Sequence, residues 1–545
     1  ERKSIVDDQL KHLKKIAKEI PINVGVIFGA ITQNKGHGKA LFNSAVFLEK
    51  NKKPIFFHKE LLPTYDVFDE SRHTECGQVG KKILKFKGKK ILVTVCEDIW
   101  AWDFKGYKNL YPKNPLLKVK DKVDLIVNIS ASPFSLKKEA QRKTVCFLTA
   151  KKFNAPLVYV NMVGAQDELI FDGGSFVIDP HKKILTQSAQ FAEDINVFDL
   201  KDLVGGHRIQ KLSEVDKLRQ ALVLGIRDFA NKIGLEQIHL GLSGGIDSAV
   251  VACLAADALR PSAVTGIALP GPYNLPESFS WAEKLAKNLG IDFKSVPIGD
   301  IYMQTLATLE KSWEPLSFSV LHENLQARVR ANVLMAYANY KNSLLLTTGN
   351  KSEYASGYCT LYGDMCGGLA PIGDLLKGQV YALARHYNVE RELIPGEIIE
   401  RAPSAELRPN QKDQDTLPPY EKLDKAVINI VENKKAAGNE TEKWLLNSLL
   451  RTEFKRCQAP RYYGYRNTHL VAGGFSQSLT KLKRKHQLLG LRNYLRKAKL
   501  WSTCERHQFG KIQCRHSRSL QNFRKKMSTT NSVGFGSVKT RTWNF

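Results

Sequence analysis

Residues 238–248 constrain the fold more than any other stretch. An apolar run at 238–242 passes directly into Ser243-Gly244-Gly245, and a helical pattern follows from Asp247 to about Leu259. Strand, small-residue turn and helix start, in that order, predict a βα unit. The two glycines permit tight backbone angles and let an anion come close to the main chain. Free N–H groups at the helix N-terminus and the positive end of its dipole then face that anion. The hydroxyls of Ser243 and Ser248 add donors. Asp247 would repel a bare phosphate, so its position implies a bridging Mg²⁺. No Gly-Lys-Ser/Thr ending follows, which excludes the usual mononucleotide P-loop. The plain alternative is a glycine turn joining strand to helix, and the full pattern Ser-Gly-Gly-Ile-Asp-Ser weighs against it. This stretch resembles the pyrophosphate loop of the N-type ATP pyrophosphatases, which cleave ATP between its α and β phosphates and adenylate a substrate oxygen.

The neighbouring periodicity extends the unit. An amphipathic helix is predicted over 216–232, a strand over 263–269, a helix over 277–288 and a strand over 293–296. That alternation predicts a doubly wound parallel sheet, whose ligands bind at the carboxyl ends of the strands. The chain has 545 residues, enough for a second large domain. Its first half reads differently. A helix over 4–20 ends at Pro21, and strands follow at 24–28, 44–48, 55–57, 91–95, 124–129, 157–160 and 175–178, with a helix over 136–152. Many strands and few helices predict a layered sandwich.

Two pieces of the first half carry chemistry: His58-Lys59-Glu-Leu-Leu-Pro-Thr-Tyr65-Asp-Val-Phe-Asp-Glu70 and Val93-Thr-Val-Cys96-Glu97-Asp98-Ile-Trp100. A cysteine at the end of an apolar strand can project into a cleft, and an adjacent lysine could depress its pKa and hold a developing oxyanion. Taken singly, Cys96 reads as a buried thiol and Lys59 as a solvated charge. Together the pieces resemble the nitrilase superfamily, whose triad is Glu, Lys and Cys, and in particular its glutaminase members. Lys59 and Cys96 match the family lysine and nucleophile. The segments beginning at Asn128 and Asn161 match two further family segments, and the resemblance implies that Tyr65, Ser132 and Lys138 contact glutamine. The family's triad glutamate lies upstream of the helix that opens this chain. The expectation is therefore a domain without its N-terminal part and impaired in using glutamine; Glu60 and Glu97 do not match by motif.

Later motifs specify the second half. Glu323-Asn324-Leu-Gln326-Ala-Arg328-Val-Arg330 puts Gln326 and Arg330 on one helix face. Leu344-Leu-Leu-Thr347-Thr348-Gly-Asn350-Lys351-Ser-Glu353 is a buried strand ending in polar groups. Segments from Gly357, Pro371 and Pro403 follow, then Arg451-Thr-Glu-Phe-Lys455-Arg-Cys-Gln-Ala-Pro460. In this order they resemble the synthetase domain of the glutamine-dependent NAD⁺ synthetase family, with Cys366 where that family usually has Ala. By that resemblance Gly241, Leu242, Ser243, Gly244, Gly245, Ile246, Asp247 and Ser248, with Thr348 and Ser404, bind ATP. Asp247 and Glu353 serve Mg²⁺. Asn324, Glu353 and Lys455 contact deamido-NAD⁺, and Lys377 is a further phosphate partner.

The implied fold class is α/β: an incomplete nitrilase-like α/β/β/α sandwich (1–205), a linker (206–216) and a doubly wound parallel-sheet synthetase domain of the adenine nucleotide alpha hydrolase-like type (217–460). The implied reaction amidates deamido-NAD⁺ to NAD⁺ with release of AMP and pyrophosphate, using ammonia from glutamine. The resemblance also implies a homo-oligomer. A synthetase using only free ammonia is the nearer alternative. An RNA-binding or RNA-modifying pyrophosphatase is the farther one, suggested by a net charge of +28. Much of that charge is local. Residues 461–545 hold 19 lysines and arginines against one acid, Glu505, and are expected to be a disordered or out-of-frame basic tail. Nine scattered cysteines without paired or zinc spacing suit a reducing cytoplasm. No apolar run reaches the ~20 residues of a membrane helix.

Overall fold

The computed structural model describes residues 3–65, 67–200, 212–313 and 317–464. The chain opens with α1 (Lys3–Glu19), followed by β1 (Gly25–Gln33), β2 (Leu41–Glu49) and β3 (Ile55–His58), a three-stranded antiparallel sheet with β2 at its centre. Alternation along β2 sorts its side chains. Val46 and Leu48 pack with Leu13 of α1 and with Ile20 just after it, whereas Ala45 and Phe47 pack against Leu84, Ile91 and Val93 of a second sheet.

After the four-residue α2 (Glu70–His73) come β4 (Leu84–Phe86), β5 (Lys89–Val95), β6 (Leu125–Ser130), α3 (Lys138–Phe153) and β7 (Leu157–Asn161). A hairpin of β8 (Val163–Gln166) and β9 (Leu169–Asp172) precedes β10 (Phe176–Ile178) and β11 (Ile184–Gln187). The second sheet has the order β11-β10-β7-β6-β5-β4; β5, β6 and β7 are parallel, and the outer strands antiparallel. On its far face Val145, Cys146 and Ala150 of α3 join Leu92, Ile126, Leu157 and Tyr159 in one core. Helix, sheet, sheet and helix thus stack as four layers, as the sandwich expectation requires.

The second half begins with α4 (Glu214–Ile233). The Ser213 Oγ accepts from Asp216 N at 3.1 Å and caps the helix. The expected linker lies partly outside the described residues, and its last residues already form this cap and first turn. Then follow β12 (Ile238–Gly241), α5 (Ile246–Ala258), β13 (Val264–Ala268), α6 (Pro276–Leu289), β14 (Asp292–Ser295), α7 (Gly299–Glu310), α8 (Val320–Lys341), β15 (Leu344–Leu346), α9 (Lys351–Ser356) and α10 (Lys377–Tyr387). The sheet order is β14-β13-β12-β15, parallel throughout. The strands step outward from β12 to β14, then β15 returns to the other side of β12, so the switch point lies at the carboxyl end of β12. Helix α5 is apolar nearly all round, as a helix must be when α4, α6, α10 and the sheet surround it.

The halves meet through the β8–β9 hairpin. Its Ala165 and Ile170 enter the core with Leu218 and Leu222 of α4. Asp228 accepts from Ala165 N at 2.7 Å, and Lys232 donates to the Ala165 carbonyl. A second join corrects the expected tail boundary. Residues 461–464 pack onto the body because Tyr462 and Tyr463 bury their rings there. The Arg461 carbonyl accepts from Ala370 N at 2.8 Å, the Tyr463 hydroxyl donates to the Gly225 carbonyl at 2.8 Å, and Gly464 N donates to the Glu168 carbonyl at 3.1 Å. The rest of the expected tail lies outside the described residues. Among the described residues no helix is long and apolar enough to cross a membrane.

Candidate functional site

Two cavities lie at the carboxyl ends of parallel strands, one in each half. The first, about 640 Å³, is lined by Lys59, Tyr65, Glu70, Cys96, Glu97, Ser132 and Lys138 among others. All five first-half residues expected from sequence therefore share one wall. Cys96 leaves β5 with a positive φ of 46°, a strained angle for a residue with a side chain, and opens the short 3-10 helix Cys96–Ile99. The loop carrying Lys59 is tied to it by Asp98, whose carboxylate accepts from Glu60 N (2.9 Å), Leu61 N (3.0 Å) and Val95 N (2.9 Å). These bonds fix lysine against cysteine.

The electrostatics differ from the sequence expectation in one respect. Burial pushes the Cys96 thiol above its ordinary value; Lys59 pulls the other way and does not prevail, with Glu97 and Glu70 also opposing ionisation. Attack by this sulfur therefore calls for a proton acceptor. Burial alone would lower the Lys59 pKa, but attraction to Cys96 and Glu70, with a hydrogen bond to Glu70, raises it. The ammonium, 3% exposed, is ion-paired with Glu70. Glu70 was not singled out by motif, although it closes the quoted lysine segment.

Glu97 was also missed. Its two carboxylate oxygens accept from the hydroxyls of Tyr65 and Tyr111, each at 2.7 Å. Lys138, at the start of α3, sets its ammonium 3.8 Å from the centre of the Trp100 ring. The cavity therefore offers a carboxylate and an ammonium in addition to the thiol. For Glu97, its place directly after Cys96 in the quoted motif was the available signal.

The second cavity, about 300 Å³, is lined by Gly241, Leu242, Ser243, Gly245, Ile246, Asp247, Ser248, Thr348, Glu353, Lys377 and Ser404 among others. Gly244 sits behind the loop at φ +77°, where an added Cβ would lie 2.2 Å from the Ser278 carbonyl oxygen. Only glycine fits there. The Ser243 and Ser248 hydroxyls lie 3.1 Å apart. Asp247 accepts from Asn350 Nδ2 at 2.8 Å and from Lys377 Nζ at 2.5 Å, and Lys377 lies 3.6 Å from Glu353. Burial and then the Asp247 charge push Glu353 up to about 8. Burial opposes the Lys377 charge, but Asp247 and Glu353 outweigh it and raise its pKa. Ser404 Oγ donates to the Gln411 carbonyl at 2.6 Å and accepts from Glu406 N.

Asn324 and Lys455 are placed differently. Neither lines this cavity. Asn324 Oδ1 accepts from the Thr360 hydroxyl at 2.7 Å, and Lys455 donates to the carbonyls of Gly357 (2.9 Å) and Cys359 (2.6 Å). They brace the loop whose Thr360 and Asp364 do line it. Sequence reading also passed over Asp413, which accepts from Tyr358 and Tyr420 beside the same cluster.

The donor set fits Mg²⁺. Asp247 and Glu353 both border the cavity and flank Lys377, so two carboxylates converge there beside the glycine loop. Among the described residues no group of three or more histidine, cysteine, aspartate or glutamate side chains forms an all-protein cage. Mg²⁺ commonly takes one or two carboxylates plus substrate phosphates.

Comparison with known proteins agrees with this two-site plan. Residues 8–208 match the carbon-nitrogen hydrolase family, and residues 218–459 match the NAD synthase family. A glutamine-dependent NAD⁺ synthetase of Synechocystis is 44% identical over 478 residues, 84% of this chain and 85% of that protein. One of Thermotoga maritima is 36% identical over 506 residues, again 84% and 85%. The solved structure of a glutamine-dependent NAD⁺ synthetase from Acinetobacter baumannii in complex with ADP is 30% identical, with a TM-score of 0.67 over 86% of this chain and 87% of that one.

Proposed function

The chain belongs to the glutamine-dependent NAD⁺ synthetases, and from that membership we propose how its two cavities divide the work. The reaction is the ATP-dependent amidation of deamido-NAD⁺ with nitrogen from glutamine. The observation that carries the division is the pairing, in one chain, of a cysteine–lysine cavity with a glycine-loop cavity.

In the first cavity Cys96 attacks the glutamine side-chain carbonyl. Its thiol proton passes to Glu70, the carboxylate paired with Lys59, and then to leaving ammonia. Lys59 stays charged and faces the oxyanion. Glu97 receives the α-ammonium of glutamine, and Ser132 and Lys138 receive its α-carboxylate. Water then releases glutamate from the thioester.

In the second cavity the N–H groups of residues 241–248 cradle the ATP phosphates, and Thr348 and Ser404 hold the nucleotide. Asp247 and Glu353 would hold Mg²⁺, which when bound supplies charge neutralisation at the pyrophosphate. Lys377 then exchanges its carboxylate partners for phosphate oxygens. Asn324 and Lys455 present the 357–364 loop to deamido-NAD⁺, beside Glu353. The nicotinate carboxylate attacks the α-phosphorus of ATP, pyrophosphate leaves, and ammonia displaces AMP from the mixed anhydride to give the amide. Incubation with deamido-NAD⁺, glutamine and ATP tests the adenylation step. One AMP and one pyrophosphate per NAD⁺ are expected; stoichiometric ADP would overturn it.

A further inference from the structure

Behind the glutamine cavity lies Arg142, a buried guanidinium of α3 that does not line it. Each of its five N–H groups has a partner. Nη1 donates to both oxygens of Asp172 in β9, at 2.7 and 2.8 Å. Nη2 donates to the carbonyls of Ser132 (2.8 Å) and Pro133 (2.7 Å). Nε donates to Ser132 Oγ at 3.1 Å. The Ser132 amide is fixed as well, donating to Asn161 Oδ1 at 2.9 Å.

This arrangement assigns a direction to one hydrogen. A serine hydroxyl can accept or donate. Here Arg142 Nε occupies one of the two lone pairs of Ser132 Oγ, and Arg142 has no lone pair to receive the hydroxyl hydrogen. Among the described residues the Ser132 hydroxyl donates to no protein acceptor, and the residue borders the cavity. Its hydrogen is left for a ligand acceptor. The Ser132 carbonyl, which could otherwise meet an ammonium group, is turned away and capped by Arg142 Nη2. The turn therefore keeps that hydrogen for the cavity while its carbonyl is engaged elsewhere.

We propose that Arg142 is a positioning residue for substrate choice: by bonding the oxygen and carbonyl of Ser132 it fixes the turn and leaves the hydroxyl hydrogen for a ligand acceptor, and so favours amides that carry an α-carboxylate. This deepens the assignment of Ser132 to glutamine binding and rests on it. Asp172 completes the device by holding the far edge of the guanidinium, which keeps Nε aimed at Ser132.

The test compares glutamine with 4-aminobutanamide, the same amide without its α-carboxylate, on the full chain with ATP and deamido-NAD⁺, reading ammonia release. Arg142→Lys keeps a cation for Asp172 but cannot reach Ser132 with a second and third bond. It is expected to lower kcat/KM for glutamine about 10- to 100-fold and for 4-aminobutanamide less than about threefold, with the loss mainly in KM. Ser132→Ala should produce the same loss of discrimination, and the double variant should be no worse than either single one. Equal losses on both amides after Arg142→Lys would mean a merely structural role and overturn the proposal. So would an unchanged discrimination in Arg142→Lys when Ser132→Ala loses it. If Ser132→Ala itself leaves glutamine kinetics untouched, the assignment of Ser132 falls and the proposal with it. Should Arg142→Lys not fold, the pair Arg142→Gln with Asp172→Asn, which strands no buried charge, gives the same readout.

Discussion

The cysteine–lysine cavity and the glycine-loop cavity both open at the ends of parallel strands, yet they are assembled in opposite ways. The glycine-loop cavity takes its loop lining from one stretch, residues 241–248, at the turn from β12 into α5. The cysteine–lysine cavity draws Lys59 with Glu70, then Cys96, then Ser132 with Lys138 from three separate segments and places single side-chain atoms. A phosphate chain is long, symmetric and charged, so oriented main chain serves it. A single attacked carbonyl needs one sulfur, one proton acceptor and one cation, each exact in position but free in sequence.

That contrast can be broken at four points. The largest effect is expected from Cys96→Ser, which should abolish glutamine-dependent NAD⁺ formation and leave the ammonium-dependent rate unchanged; loss of both in parallel would mean that the cavities are not chemically separable. Asp247→Asn acts on the other side. Removing a metal-ligating carboxylate costs several kcal/mol, so NAD⁺ formation from either nitrogen source should fall about a thousandfold. A drop confined to glutamine would contradict the assignment of Asp247. Glu70→Gln keeps the shape of the side chain and removes the proton acceptor. The expected loss is about a hundredfold in glutamine hydrolysis, with ammonium-dependent turnover preserved; an unchanged hydrolysis rate would show that another group takes the Cys96 proton.

The smallest effect concerns the resting sulfur. Because burial holds the Cys96 thiol above its ordinary pKa, the thiolate is the minor form at neutral pH and grows as pH rises. Alkylation of Cys96 by iodoacetamide, followed by mass spectrometry, should climb about tenfold per pH unit between pH 6 and 9. A plateau beginning below pH 7 would mean that Lys59 wins over burial after all.

How legible each half was follows from the same contrast. The parallel sheet of the second half could be read because its strands and helices alternate cleanly around one local motif, and β12, β13 and β14 fall within a residue or two of their expected positions. The first half yielded its main strands but not β4, the β8–β9 hairpin or β11. β4 has only three residues, and the hairpin turns at Asp167, which takes a positive φ of 54° that no periodicity signals. Lys59 and Cys96 were visible as motifs, whereas the contacts of Glu70 and Glu97 were not, because they exist only once Lys59, Tyr65 and Tyr111 have been folded against them. The direction of the Cys96 shift was beyond sequence for a similar reason. A lysine nearby can be inferred from a motif, but the burial that opposes it is a property of the packed strands. Arg142 carried no motif at all; its five contacts come from Ser132, Pro133 and Asp172, up to 30 residues away.

The central claim is that both cavities of this chain serve one transfer of nitrogen. The most direct measurement supplies glutamine labelled with ¹⁵N at the side-chain amide, together with ATP and deamido-NAD⁺, and reads the mass of the NAD⁺ formed. The account predicts NAD⁺ carrying the label in its nicotinamide amide, and none formed from glutamine by Cys96→Ser. NAD⁺ without the label, or labelled NAD⁺ from the Cys96→Ser chain, would contradict it.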